Sequence, residues 1–131
     1  MSQASQGIRE LDRESYISLA TFRRNGKAVL TPVWFAESGG CLYVFSEADA
    51  GKVKRLRNGS RIRVAACNVR GKVHGAWHEG EGRRANEPET VATAYAALHR
   101  KYGLLMKLTD FFSRLTGRFD GRAILELRLE S

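Results

Sequence analysis

Asn25-Gly26 stands between two alternating runs, Tyr16 to Phe22 and Lys27 to Ala36, and this arrangement constrains the fold more than any other feature of the chain. Tyr-Ile-Ser-Leu-Ala-Thr-Phe sends successive side chains to opposite faces, as a half-buried strand requires. Asn-Gly tolerates the backbone torsions that reverse such a strand in a tight turn, so the two runs read as an antiparallel hairpin. Ser38-Gly39-Gly40 turns the second run into a third, Cys41 to Ser46, and the three are expected to form a meander. Asp49-Ala50-Gly51 opens a short helix, Lys52 to Arg57, closed by Asn58-Gly59. Arg61 to Asn68 alternates as a fourth strand, and Gly75 to Ala85 reads as a fifth. Glu87-Pro88-Glu89 starts a helix, because proline suits the first turn and the acids face the positive end of the dipole. Val91, Ala94, Tyr95, Leu98 and Tyr102 then recur at helical spacing up to Gly103. Leu104 to Leu115 carries a second amphipathic pattern, and Ala123 to Leu129 closes the chain as a sixth strand. The prediction is a mainly β domain, a six-stranded antiparallel barrel with helices near 51–57, 88–102 and 104–116.

With 131 residues the chain is read as one domain. Residues 1–10 are polar and are expected to be a flexible N-terminal tail, with the barrel over 11–131. The tail lacks the basic start and apolar centre of a signal peptide, and no apolar run approaches the ~20 residues that span a bilayer. The expectation is therefore a cytoplasmic protein without a membrane partner. Cys41 and Cys67 lie in separate apolar strands with no Cys/His cluster, which favours buried thiols over a disulfide or zinc site. His74, His78 and His99 have no metal-binding spacing, and no metal is expected.

Charge is distributed unevenly. Between Gly51 and Lys72 stand eight basic residues (Lys52, Lys54, Arg55, Arg57, Arg61, Arg63, Arg70, Lys72) and no acidic one. The whole chain has 22 basic and 14 acidic residues, so the remainder is balanced at 14 against 14. A concentrated positive field beside hydrophobic strands suits a phosphorylated, planar organic ligand. A solvated surface is the plainer reading for single residues; Arg61 and Arg63 point outward by alternation.

Four stretches carry a resemblance: Tyr16-Ile-Ser-Leu-Ala-Thr-Phe-Arg-Arg-Asn-Gly, Thr31-Pro-Val-Trp-Phe, Leu42-Tyr-Val-Phe-Ser and Gly51-Lys-Val-Lys-Arg-Leu-Arg, with Arg100-Lys-Tyr-Gly before a Leu-rich helix. From about Leu11 onward the chain resembles the pyridoxamine 5′-phosphate oxidase-like family of FMN-binding split β-barrels, and within it the short branch of coenzyme F420-dependent oxidoreductases. The resemblance implies a homodimer with the cofactor at the subunit interface and a small-molecule substrate. It implies that Thr31, Pro32, Val33 and Trp34 address the ring edge, that Phe45 and Ser46 flank the ribityl chain, and that Gly51, Lys52 and Arg55 bind the phosphate. The arginine-bearing C-terminal motif of full-length pyridoxamine oxidases is missing, and Ser60 stands where proline often precedes the fourth strand. FMN offers one phosphate, whereas F420 carries a phosphodiester and an oligoglutamate tail, so eight uncompensated cations favour F420. FMN is the alternative, and heme or another planar ligand stays open.

No residue is assigned a catalytic role; Tyr16, Tyr43 and Tyr95 are equivalent as proton donors in sequence terms. Hydride chemistry needs no protein nucleophile, since the reactive carbon belongs to the ring. A non-catalytic carrier or sensor would need the same binding residues. Nucleic-acid binding ranks last, because the cations lack the interleaved aromatics of single-strand platforms. Trp34 is read as a ring contact, Trp77 as interface packing and His78 as exposed.

Overall fold

A computed structural model describes residues 3–48, 50–57, 59–103 and 122–130. The predicted helix over 104–116 and the Asn58 cap lie outside the described residues.

The first hairpin forms between β1 (Tyr16–Phe22) and β2 (Ala28–Val33), with Ile17 opposite Val33 and Phe22 opposite Ala28. Its turn uses positive φ at Gly26 alone, at 87°, while the Asn25 side chain accepts from the Lys27 amide at 3.0 Å. Gly26 N–H donates to Arg23 C=O at 2.8 Å, so the reversal is a turn followed by a left-handed glycine rather than a two-residue loop.

The expected second strand, Lys27 to Ala36, breaks at Trp34. Its second half is β3 (Phe35–Ser38), which pairs with β4 (Cys41–Glu47). β5 (Arg61–Cys67), β6 (His78–Ala85) and β7 (Arg122–Leu129) complete one antiparallel sheet in the order β2-β1-β5-β6-β7-β4-β3. Among the described residues the strand count is therefore seven rather than six. The expected meander is also corrected: β2 and β3, consecutive in sequence, form opposite edges of the sheet. The sheet curls into a split barrel, and the corner at Trp34 carries the chain from one edge to the other. There the ladder hydrogen bonds stop, and the Tyr102 hydroxyl replaces them. It accepts from Phe35 N–H at 2.9 Å and donates toward Ser15 C=O at 2.8 Å or Phe35 C=O at 2.9 Å. Trp34 stacks on the same tyrosine, with ring centres 4.6 Å apart.

Alternation gives the barrel two apolar faces. Inside lie Ile17, Leu19, Phe35, Leu42, Val44, Ile62, Val64, Leu125 and Leu127, all fully buried. One end of this core receives Leu11 from α1 (Gln3–Asp12), the other Val53 from α2 (Gly51–Leu56). Outside, α3 (Pro88–Tyr102) lays Ala94, Ala97 and Leu98 on Ala36, Tyr43, Ala85 and Ile124. Within the expected tail over 1–10, residues 3–10 belong to α1. Buried Gly7, half-buried Ile8 and buried Leu11 recur at helical spacing and dock α1 on the barrel.

β6 begins at His78 rather than Gly75, because residues 73–77 cover the α1 end of the barrel, with His74 N–H donating to Ala66 C=O at 3.0 Å. Among the described residues no helix is long and apolar enough to cross a membrane.

Candidate functional site

At the α2 end of the barrel the β1–β2 turn meets the short helix. Val53 turns inward, which leaves Lys52 and Arg55 on the flanks of α2. Arg55 Nε donates to Thr21 Oγ1 at 2.6 Å, and Thr21 is fully buried in β1. This bond fixes the guanidinium, whose terminal amines make no hydrogen bond among the described residues. Gly51 makes room for it: a Cβ there would stand 2.7 Å from Arg55 Nη1. The result is an open cleft of about 400 Å³ lined by Phe22, Arg23, Arg24, Arg55 and Gly59. The Phe22 ring also carries the Arg61 guanidinium, 4.3 Å from its centre.

Electrostatically this end is unbalanced. Burial lowers the Lys52 ammonium below the usual lysine range, repulsion from Arg55 adds to that, and Glu47 opposes it. Arg55 is lowered as well, by burial first and then by the charge of Arg23. A bound anion would relieve both effects, because it restores the stabilisation that water and counter-charge supply elsewhere. The cationic surface is better compensated farther along the sheet, where Arg63 Nε lies 2.9 Å from Glu79 and its guanidinium rests over Trp77. Arg61 and Arg63 both lie on the outer face, as alternation predicts.

Thr31, Pro32, Val33 and Trp34 follow the free edge of β2. The register sets Val29 opposite Thr21 and Thr31 opposite Leu19, so Thr31 lies two residues, about 7 Å, along the sheet from the Arg55 anchor. Pro32 is exposed, Val33 is a core residue, and Trp34 is half-buried against Tyr102. Ser46 is buried on the inner face, its hydroxyl donating to Glu47 C=O at 3.1 Å. Phe45 points the other way, edge-on to Tyr95 at 6.3 Å and under the Arg122 guanidinium. Of the expected site residues only Arg55 lines the cleft among the described residues, with Gly51 against its guanidinium and Lys52 on the flank of α2. Thr31 to Trp34 follow the β2 edge, Ser46 lies on the inner face of β4, and Phe45 packs beneath α3.

Arg23 and Arg24 are the residues that sequence reasoning missed. Their signal was available, since they occupy the turn that the Asn25-Gly26 pair specifies. The opposing α2, which makes that turn a wall of a cleft, was not readable. His78 differs from expectation too: its ring packs against Gly7, and Nε2 lies 3.7 Å from Glu10, while His74 Nε2 lies 3.5 Å from Glu14. These pairs flank a hollow of about 140 Å³ under α1. Among the described residues no group of three or more His, Cys, Asp or Glu could hold a metal ion.

No curated protein matches the chain. Solved structures with the same fold include a conserved hypothetical protein from Mycobacterium tuberculosis, 19% identical with a TM-score of 0.71, the match covering 100% of this chain and 82% of that one. The heme storage protein HutZ from Vibrio cholerae is 11% identical with a TM-score of 0.71, covering 99% and 92%. An F420 reductase is 17% identical with a TM-score of 0.60, covering 95% and 93%. Proteins of this one fold therefore range from a reductase to a heme store, and these likenesses speak to architecture alone. The family model for pyridoxamine 5′-phosphate oxidase matches residues 5–131, essentially the whole split barrel described above, and the chain belongs to that family.

Proposed function

We propose that the protein is a cytoplasmic, homodimeric oxidoreductase that binds coenzyme F420 and passes hydride to or from an unsaturated small molecule. The observation that carries this reading is the pairing of an arginine-lined cleft with the free edge of β2, about 7 Å apart along the sheet. The donor set fits a phosphorylated ligand. Arg55 is held by Thr21 and lines the cleft, Gly51 leaves space beside it, and among the described residues no carboxylate lines the opening. Lys52 and Arg55 would hold the phosphodiester, and the backbone along Thr31 to Trp34 would address the polar edge of the ring. The deazaflavin, when bound, supplies the hydride chemistry. The chain supplies orientation, electrostatic complement and, through Trp34 and the β2 edge, a surface that limits water.

A second copy of the chain is part of the reading. Leu30 is 52% exposed and Val69 62% exposed. Gly71 of the same turn as Val69 lies against Pro32 on the Leu30 side of β2. An apolar ridge on an edge strand suits a self-complementary interface.

Fluorescence quenching of F420, run beside absorbance titration with FMN, tests the cofactor. F420 is expected to bind and FMN to bind more weakly. Lys52→Ala should weaken F420 binding by roughly 1.5–3 kcal/mol, the scale of a charge-assisted hydrogen bond, with thermal stability unchanged. Parent-like binding by that variant removes the phosphate assignment. A protein that is yellow as isolated replaces F420 with FMN. Oxidation of reduced F420 with a panel of enones and quinones separates an enzyme from a carrier.

A further inference from the structure

Two imidazole–carboxylate pairs tie α1 to the barrel, in addition to its apolar face. His78 Nε2 lies 3.7 Å from Glu10 Oε2, and His74 Nε2 lies 3.5 Å from Glu14 Oε2. The two acids are four residues apart and so are the two histidines, so one side of α1 and its exit turn meets one short stretch of chain. Glu14 is kept against the helix end by its N–H, which donates to Leu11 C=O at 2.8 Å. Gly7 makes the approach close: a Cβ there would stand 2.9 Å from His78 Nδ1. Glycine weakens a helix interior, but here it lets the His78 ring lie against the helix. Between the pairs is the hollow of about 140 Å³, lined by all four side chains, and none of the four is fully buried, so protons can exchange with solvent. Other titratable groups face the same place. The Cys67 thiol of β5 is raised by burial and then by Glu14, so it stays uncharged through neutral pH. Lys101 of α3 is pushed down to about 8 by burial, against Asp12 and Glu14, so it stays largely charged below that value.

We propose that α1 is a pH-sensitive strap: protonated His78 and His74 hold it on the barrel through Glu10 and Glu14, and loss of those protons loosens it. An imidazolium attracts a carboxylate and a neutral imidazole does not, so the docked form binds more protons than the released one. Docking is therefore strongest at the acid end of the range in which imidazoles titrate, about pH 5 to 8, and weakens as pH rises through it. Lys101 works in the opposite sense, because burial disfavours its charge and its deprotonation above about pH 8 favours the packed form. The two effects occupy separate windows. Release of the strap withdraws Leu11 from the end of the core. It also frees Ser15, whose C=O accepts from the Tyr102 hydroxyl at 2.8 Å beside Trp34. The strap sits at the end of the barrel away from α2 and needs no bound cofactor to act.

Hydrogen exchange of the full chain, followed by NMR at about pH 5.5 and about pH 7.5, tests the strap; carboxylates are ionised and Lys101 is largely charged at both values. Protection factors of the Ile8 to Asp12 amides, corrected for intrinsic exchange, should fall about three- to tenfold from the lower pH to the higher, the scale of two part-exposed ion pairs. Amides of the β5–β6 ladder should change by less than about twofold over the same range. Salt at about 0.5 M should remove most of the difference, since exposed pairs are screened and apolar packing is not. His74→Gln/His78→Gln should keep α1 at the parent's pH 7.5 protection at both pH values, and Glu10→Gln/Glu14→Gln should do the same. The salt comparison uses the parent alone, so it decides the matter even where a variant fails to fold. Equal α1 protection at both pH values in the parent overturns the strap. So does a pH dependence that survives salt or either double variant, or one that the β5–β6 ladder shares equally.

Discussion

Lys101 shows how much one misplaced charge costs. Its ammonium is buried 3.4 Å above the centre of the Phe35 ring and has no hydrogen-bond acceptor among the described residues. Burial pushes its pKa down to about 8, against the pull of Asp12 and Glu14. An unfolded lysine titrates near 10.4, so between about pH 8 and 10.4 the unfolded chain binds more protons and stability rises with pH. Below that window the full penalty is present. Lys101→Met should therefore stabilise the protein at pH 7 by about 1–2 kcal/mol, after discounting for the partial exposure of the side chain. The gain should shrink when urea denaturation is repeated at pH 9.5. An equal gain at both pH values would mean that packing against Phe35, not charge, is responsible. Lys52 is also lowered by burial, but beside Arg55 and a cleft, where a ligand can offset the cost. The same physical effect thus marks a candidate binding residue in one place and a structural liability in the other.

At the scale of elements, the corner between β2 and β3 decides the architecture. A proline two residues before the break suits an edge strand, since Pro32 has no N–H to lose from a ladder. The corner itself is held from 67 positions away, by the Tyr102 hydroxyl at the end of α3. Tyr102→Phe keeps the stack on Trp34 but leaves the Phe35 amide without its acceptor. The expected loss is about 1–3 kcal/mol in chemical denaturation, the cost of one buried unsatisfied group. Hydrogen exchange should locate it, with faster exchange at Phe35 and little change in the β5–β6 pairing. Uniformly faster exchange would instead assign Tyr102 to the global core. α1 is a second case in which distant contacts make an element. Its sequence is polar enough to read as a tail, and Ile8 and Leu11 become a helix face only because the barrel end offers them a core.

For the whole molecule, the sheet leaves an apolar ridge at Leu30, Pro32 and Val69 beside the proposed ring site. Leu30→Glu should shift light-scattering mass from dimer toward monomer at micromolar concentration and weaken F420 binding in parallel, because the proposed pocket includes the second copy. Unchanged mass would remove this ridge from the proposed interface. Features governed by neighbours in the chain were legible before any fold was known. Alternation placed Arg61 and Arg63 outward, glycine turns ended β1 and began β4, and Glu87-Pro88-Glu89 started α3. The family and its barrel were legible for the same reason, since short motifs at fixed spacing carry them. Tertiary structure alone decided which strands lie side by side. A period of two tells which face a residue takes but not its neighbour across the sheet, so one expected strand became two edges of a seven-stranded sheet. The cleft was decided in the same way: Arg23 and Arg24 are separated from Arg55 by three strands in sequence, β2, β3 and β4, and only the closure of the barrel brings their charges together.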